Sequence, residues 1–159
     1  MWWKRGERPR GLNDQRFTFA YIFGAAKMGS DDAFAIVMPE VNTAAMQEFL
    51  DQFSNNLPKD EIAIMYTDRA GWHGAKGLKV PENVVLLHIP PFTPECNPVE
   101  RIWLFLKQRY LSMRLHDDDD SIVDAVCEAW NKVTNEAGRI TSLCAYPWIT
   151  KLVAATIKT

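Results

Sequence analysis

The hydrophobic and polar positions of this chain fall into runs of two different periods. Residues 16–27, RFTFAYIFGAAK, are rich in aromatic and small apolar residues, and residues 33–39 read AFAIVMP. Both have the length and composition of strands. Gly29, Ser30, Asp31 and Asp32 lie between them and are turn formers, so the two runs predict a hairpin. The period then changes. After Thr43, the residues Met46, Phe49, Leu50, Phe53 and Leu57 recur at helical spacing, and Pro58 ends the pattern. Residues 61–68, EIAIMYTD, predict a buried strand that ends in Asp68. Residues 84–90, VVLLHIP, predict another. Beyond Pro98, the stripe Val99, Ile102, Trp103, Leu106, Tyr110 and Met113 predicts a helix. Residues 120–134 and 139–157 predict two more.

Hairpin, helix, two strands and then helices predict an α/β domain with a mixed sheet flanked by helices. In such sheets ligands and chemistry gather at the carboxyl ends of strands. Asp68 is placed at one of these ends. The length of 159 residues suits a single domain, and 47% hydrophobic residues suffice for a core. No apolar run is as long as a membrane span, and the first residues do not form a signal peptide, so a cytoplasmic protein is expected. Cys96, Cys127 and Cys144 show neither metal spacing nor a disulfide framework, which fits a reducing compartment.

The net charge of −2 does not announce a nucleic-acid binder, but it conceals local patches. The opening segment carries Lys4, Arg5, Arg8, Arg10 and Arg16 against Glu7 and Asp14, interleaved with Trp2 and Trp3. Such a patch suits a phosphate backbone with stacking partners, and equally a solvated surface. A second basic stripe holds Arg101, Lys107, Arg109 and Arg114. His73 and Lys76 lie in the segment GWHGAKG that follows Asp68. His88, inside an apolar run, suits a core or edge position. The acidic run Asp117–Asp120 suits a solvated loop and a helix N-terminus.

Residues 90–103, PPFTPECNPVERIW, carry Pro90, Pro91, Pro94 and Pro98 ahead of a helix. Asn97 suits the N-cap and Pro98 the first helical position, which places Glu100 where its carboxylate reaches back to the cap. A pure capping role accounts for this pattern. A functional role is compatible with it, because the prolines stiffen the backbone and hold Glu100 at a fixed distance from the preceding strand. Grouped carboxylates at a strand end suit Mg²⁺, a cation that selects oxygen ligands. Two such ions serve phosphodiester chemistry.

The segments TDRAGWH and LKVPENVVLLHIPPFTPECNPVERIWLFLK resemble the catalytic domain of DDE transposases of the mariner-like superfamily, in its bacterial insertion-sequence form. An aspartate ending a strand and followed by a stretch with His maps onto Asp68 and His73. A proline-rich run entering a helix with Trp and Lys maps onto Ile89 to Lys107, and its acid is Glu100. Phe92, Thr93 and Cys96 depart from the commonest residues of that run. The resemblance extends from about Trp2 to Trp148. It implies an RNase H-like fold, three acidic residues holding two Mg²⁺ ions (Mn²⁺ as substitute), and DNA cleavage with strand transfer at insertion-sequence ends. It makes Asp68 and Glu100 the second and third acids and metal ligands. DNA contacts are expected at Lys4, Arg5, Arg8, Arg10, His73, Lys76 and Lys107.

In the resembling family the first acid lies on a central strand upstream of a segment like WWKRGERPRG. Met1 opens just inside that segment, so residues 1–159 are expected to be one partial catalytic domain. The central first strand, its aspartate and a helix-turn-helix region are expected to be missing. Asp14, Asp31 and Asp32 fall in loops or turns and do not replace that acid. The chain is therefore expected to be inactive alone, or a non-catalytic remnant that binds DNA or full-length transposase and inhibits it. The expected partners are DNA ends and target, and a homodimer or the full-length enzyme, in the cytoplasm at the nucleoid.

Overall fold

The computed structural model describes residues 20–68, 77–89, 97–112 and 118–147. The predicted hairpin forms from strand β1 (Tyr21–Ala26) and strand β2 (Ala33–Met38), which pair antiparallel with Tyr21 opposite Met38 and Ala26 opposite Ala33. Gly29 has φ 76°, a left-handed value that costs glycine nothing and lets the turn close. β1 starts at Tyr21, later than residue 16. Residues 1–19 lie outside the described residues, so the predicted start and the basic patch of Lys4, Arg5, Arg8 and Arg10 do too.

Helix α1 (Thr43–Asn56) follows where the spacing predicts it. Asn42 caps it by accepting a hydrogen bond from the Ala45 amide at 2.8 Å. Its stripe of Met46, Phe49 and Leu50 is buried, with Phe53 packed beside it. Strand β3 (Ala63–Thr67) and strand β4 (Val84–His88) pair in parallel. α1 covers one face of both pairs of strands. Phe23, Ala25, Phe34 and Ile36 of the hairpin and Met65, Val84 and Leu86 of the parallel pair all enter the same core. Two polar clamps hold α1 to the chain leading into β4. Gln47 exchanges hydrogen bonds with the Lys79 backbone at 2.7 and 2.8 Å, and Ser54 pairs with Asn83 at 2.6 Å.

Helix α2 (Val99–Leu106) begins the second layer and passes directly into a π-helical turn, Lys107–Leu111. The predicted single helix thus changes pitch at Lys107, whose carbonyl accepts from both the amide and the hydroxyl of Ser112. Helix α3 (Asp119–Thr134) starts with a capping box between Asp118 and Ser121, as the acidic run suggested. Helix α4 (Arg139–Leu143) is much shorter than the predicted 139–157. Pro147 accounts for the break: proline disfavours helical backbone at the residue before it, and its nitrogen carries no donor. Residues 148–159 lie outside the described residues.

Ile102, Leu106, Ala129, Val133, Ile140 and Cys144 form the core of this second layer, and Ile22, Ala26 and Ala33 pack against it from the hairpin. The hairpin therefore lies between two helical layers. The single mixed sheet expected from the sequence is, among the described residues, two separate two-stranded sheets. The strand at residues 61–68 is also not buried on both faces as expected. Ala63, Met65 and Thr67 turn toward α1, while Ile62, Ile64 and Tyr66 are 69%, 59% and 56% exposed.

Candidate active site

Asp68 follows β3 directly and is exposed. Strand side chains alternate between faces, so Asp68 continues the series Ile62, Ile64, Tyr66 on the face turned away from α1. The strand end is pinned on its other face. Thr67 is buried, and its hydroxyl lies 3.1 Å from the Nδ1 of His88, its partner across the parallel pair. The Ile89 amide closes the ladder on the Thr67 carbonyl at 2.9 Å. His88 is thus the edge histidine anticipated from sequence, exposed as a whole and tied through one ring nitrogen.

Glu100 stands in the first turn of α2 and is exposed. The start of this helix differs from the expected one. Pro98 takes the cap position with helical backbone angles, and the helix begins at Val99. The Asn97 side chain accepts from the Val99 amide at 3.3 Å, while the Glu100 amide donates to the Asn97 carbonyl. The reciprocal capping box does not form, because the helix starts one residue later and Glu100 falls at its second position. Among the described residues the Glu100 carboxylate makes no hydrogen bond or ion pair. The positive end of the helix dipole still favours its charge.

What fixes Glu100 is the opposite side of α2. Ile102 is fully buried and Leu106 nearly so. Trp103 packs against Trp130 with ring centroids 5.9 Å apart and lies over Gly24 of β1. A Cβ at Gly24 would come within 2.7 Å of the Trp103 ring, so the missing side chain is what allows α2 to lie on the hairpin. One residue before Ile102, the Arg101 guanidinium sits 3.7 Å from the Tyr146 ring centroid, a cation–π contact that ties the helix start to the chain after α4.

α1 covers one side of both sheets and α2 packs on the hairpin from the other. Asp68 and Glu100 therefore belong to the same side of the sheets, each at the end of an element. Lys107 is seven residues beyond Glu100, about 10 Å further along the axis, and is exposed on the same stripe with Leu104 between them. Lys4, Arg5, Arg8, Arg10, His73 and Lys76 lie outside the described residues. Two exposed carboxylates supply hard oxygen donors of the kind Mg²⁺ takes, keeping most of its water. No group of three or more His, Cys, Asp or Glu side chains comes together among the described residues.

Asp31 is in the hairpin turn, as expected, and its carboxylate is used elsewhere. It accepts from the Gly138 amide, from the Thr141 amide at 2.9 Å and from the Thr141 hydroxyl at 2.8 Å. The backbone bonds to Thr141 and Gly138, with the hydroxyl bond, hold its carboxyl below the ordinary aspartate value. Sequence reading missed this tie across more than 100 residues, as it missed the Thr67–His88 pair. Gly24 in mid-strand was the visible signal for the approach of Trp103. A polar groove lined by Gln47, Asp51, Ser54 and Lys79 lies along α1 and includes neither acid.

These features define an α/β domain with two exposed carboxylates, Asp68 directly after β3 and Glu100 in the first turn of α2. The chain belongs to the DDE superfamily endonucleases, whose family description matches residues 1–123. DNA is the substrate that this membership implies, and enzymes of the superfamily generally use divalent metals. The chain is 39% identical over 130 residues to an uncharacterized protein, y4pE/y4sA, of Sinorhizobium fredii (strain NBRC 101917 / NGR234), a match covering 82% of this chain and 96% of that one. No solved structure matches.

Proposed function

We propose that this chain carries two of the metal-binding carboxylates, Asp68 and Glu100, of a transposase-type nuclease that cleaves and joins DNA at insertion-sequence ends. The observation that supports this reading is that Asp68 directly follows β3 and Glu100 stands in the first turn of α2, both exposed, within a DDE endonuclease sequence. Asp68 and Glu100 would hold the Mg²⁺. When bound, the metal would activate an attacking oxygen and stabilise the leaving one. Lys107 would meet a phosphate beside Glu100 and fix the strand in register.

Two carboxylates are enough to hold one ion weakly. A pair of ions needs a bridging ligand, and a third carboxylate on a further strand would supply it. The chain alone is therefore expected to cleave slowly or not at all. The test is a plasmid carrying the DNA that flanks the coding sequence, incubated with the chain and Mg²⁺. The slow cleavage by the parent chain is expected to vanish in Asp68→Asn and in Glu100→Gln. Undiminished cleavage by the double variant would overturn the reading.

A second reading is favoured by the exposed apolar face of β3: a non-catalytic subunit that joins a full-length transposase and inhibits it. Its signature would be salt-dependent DNA binding with no cleavage in any combination.

A further inference from the structure

Among the described residues, Thr67 is the single polar side chain buried in the core, and it stands one residue before Asp68. Ala63 and Met65, which precede it on the same face of β3, are apolar. A valine would have nearly the same shape, suit a strand and bury no hydroxyl. A buried hydroxyl costs free energy unless it is hydrogen-bonded. Its partner here is the Nδ1 of His88, 3.1 Å away, and either atom can donate, according to the tautomer.

Thr67 and His88 are register partners at the last rung of the parallel pair, where the Ile89 amide closes the ladder on the Thr67 carbonyl. One backbone bond and one side-chain bond therefore meet at Thr67. Asp68 follows on one chain. On the other, Pro90 begins the run that leads to Glu100. Strand ends are where a sheet frays. Among the described residues β3 pairs with β4 alone, so its end has one neighbour to hold it. A side-chain bond across the last rung holds that end at a second point.

We propose that the Thr67–His88 pair is a positioning clamp: it fixes the end of β3 so that the Asp68 carboxylate meets a divalent ion in one orientation. In this role neither residue touches the ion. Thr67 is turned toward α1, away from the face that Asp68 continues, and acts through the backbone it shares with Asp68. Metal affinity depends on how narrowly the donors are held, because a mobile carboxylate must be ordered when the ion binds. The role rests on the nuclease reading, in which Asp68 is a metal ligand.

The test is Mn²⁺ titration of the full chain by electron paramagnetic resonance, with thermal melting of each variant. Thr67→Val keeps the shape and loses the hydroxyl. It is expected to weaken Mn²⁺ binding about tenfold and to leave the melting temperature within a few degrees of the parent. Thr67→Ser keeps the hydroxyl and loses a buried methyl, so it is expected to melt lower and to bind as the parent does. This crossing of affinity and stability separates positioning from a merely structural role. His88→Phe is expected to match the affinity of Thr67→Val, and His88→Asn, whose amide can reach the hydroxyl, to restore it. Thr67→Val combined with His88→Phe is expected to bind no more weakly than either alone. In an Asp68→Asn background, Thr67→Val is expected to bring no further loss. Parent-like affinity in Thr67→Val would overturn the proposal. So would an affinity that follows melting temperature across the variants, or a loss confined to His88→Phe, which would make His88 itself a ligand. If Asp68→Asn binds Mn²⁺ as the parent does, the nuclease reading falls and the clamp with it. If Asp68→Asn loses binding and Thr67→Val does not, the clamp alone falls.

Discussion

Asp68 and Glu100 stand on very different supports. The helix under Glu100 is anchored from below by Ile102, Leu106 and Trp103, with Arg101 stacked on Tyr146 at its start. Among the described residues, the strand under Asp68 has one covered face, one paired edge, and an opposite face bearing Ile62, Ile64 and Tyr66 in the open. One acid is held by a complete core and the other by half of one. A site shared by the two acids, as proposed, would depend on the less supported element.

The contrast can be broken at its strong side first. Ile102→Ala removes a fully buried side chain and is expected to cost about 2–5 kcal/mol. Ile64→Ala, on the uncovered face, is expected to stay within about 1 kcal/mol. Urea titration of both variants measures the difference, and equal losses would erase the contrast. Next comes the seat of α2 on the hairpin. Gly24→Val drives a side chain into the Trp103 ring and is expected to cost about 1–3 kcal/mol, visible in the same titration and as altered tryptophan fluorescence.

Chemical reactivity sharpens the comparison with less disturbance. Cys144 is buried in the α2 layer with its Sγ 4.0 Å from the Pro98 carbonyl, and burial pushes its thiol up, opposed in part by Arg101. Cys127 is exposed. Alkylation near neutral pH, followed by mass spectrometry, is expected to label Cys127 and to reach Cys144 only on unfolding.

A smaller effect concerns Asp31, which joins the hairpin turn to α4. Its carboxyl titrates below the ordinary value in the folded chain, so the unfolded chain binds more protons in acid. The stabilisation is present above the ordinary aspartate value and is lost as pH falls through the lower, folded one. Asp31→Asn is expected to lower the melting temperature by a few degrees at neutral pH and to flatten its fall in acid. The smallest effect belongs to Glu100→Gln. It makes no ion pair among the described residues, so only the helix dipole is affected and stability is expected to change by about 0.5 kcal/mol or less.

Much of this arrangement was legible in the pattern of the chain. The stripe of Met46, Phe49 and Leu50, the hairpin across Gly29 and the strand ending at Asp68 follow from periodicity and turn chemistry, because those signals are local. The motif around Glu100 was legible through its prolines and Asn97. Its cap was misplaced by one residue, because Pro98 and Asn97 are both good helix starters and the surrounding fold chooses between them. The break after Leu143 was signalled by Pro147, against an apolar pattern that continued through it. The pitch change at Lys107 has no such signal. The tie between Asp31 and Thr141, and the separation of the sheets, were not legible, because both depend on contacts between elements far apart in sequence.

The central claim is that Asp68 and Glu100 act together on one divalent ion. Titration of Mn²⁺ into the full chain, followed by loss of the free-ion electron paramagnetic resonance signal, tests it without requiring catalysis. The account expects weak binding at one site, diminished in Asp68→Asn and equally in Glu100→Gln, with no further loss when both are changed. A double variant that takes up Mn²⁺ as well as the parent chain would contradict it.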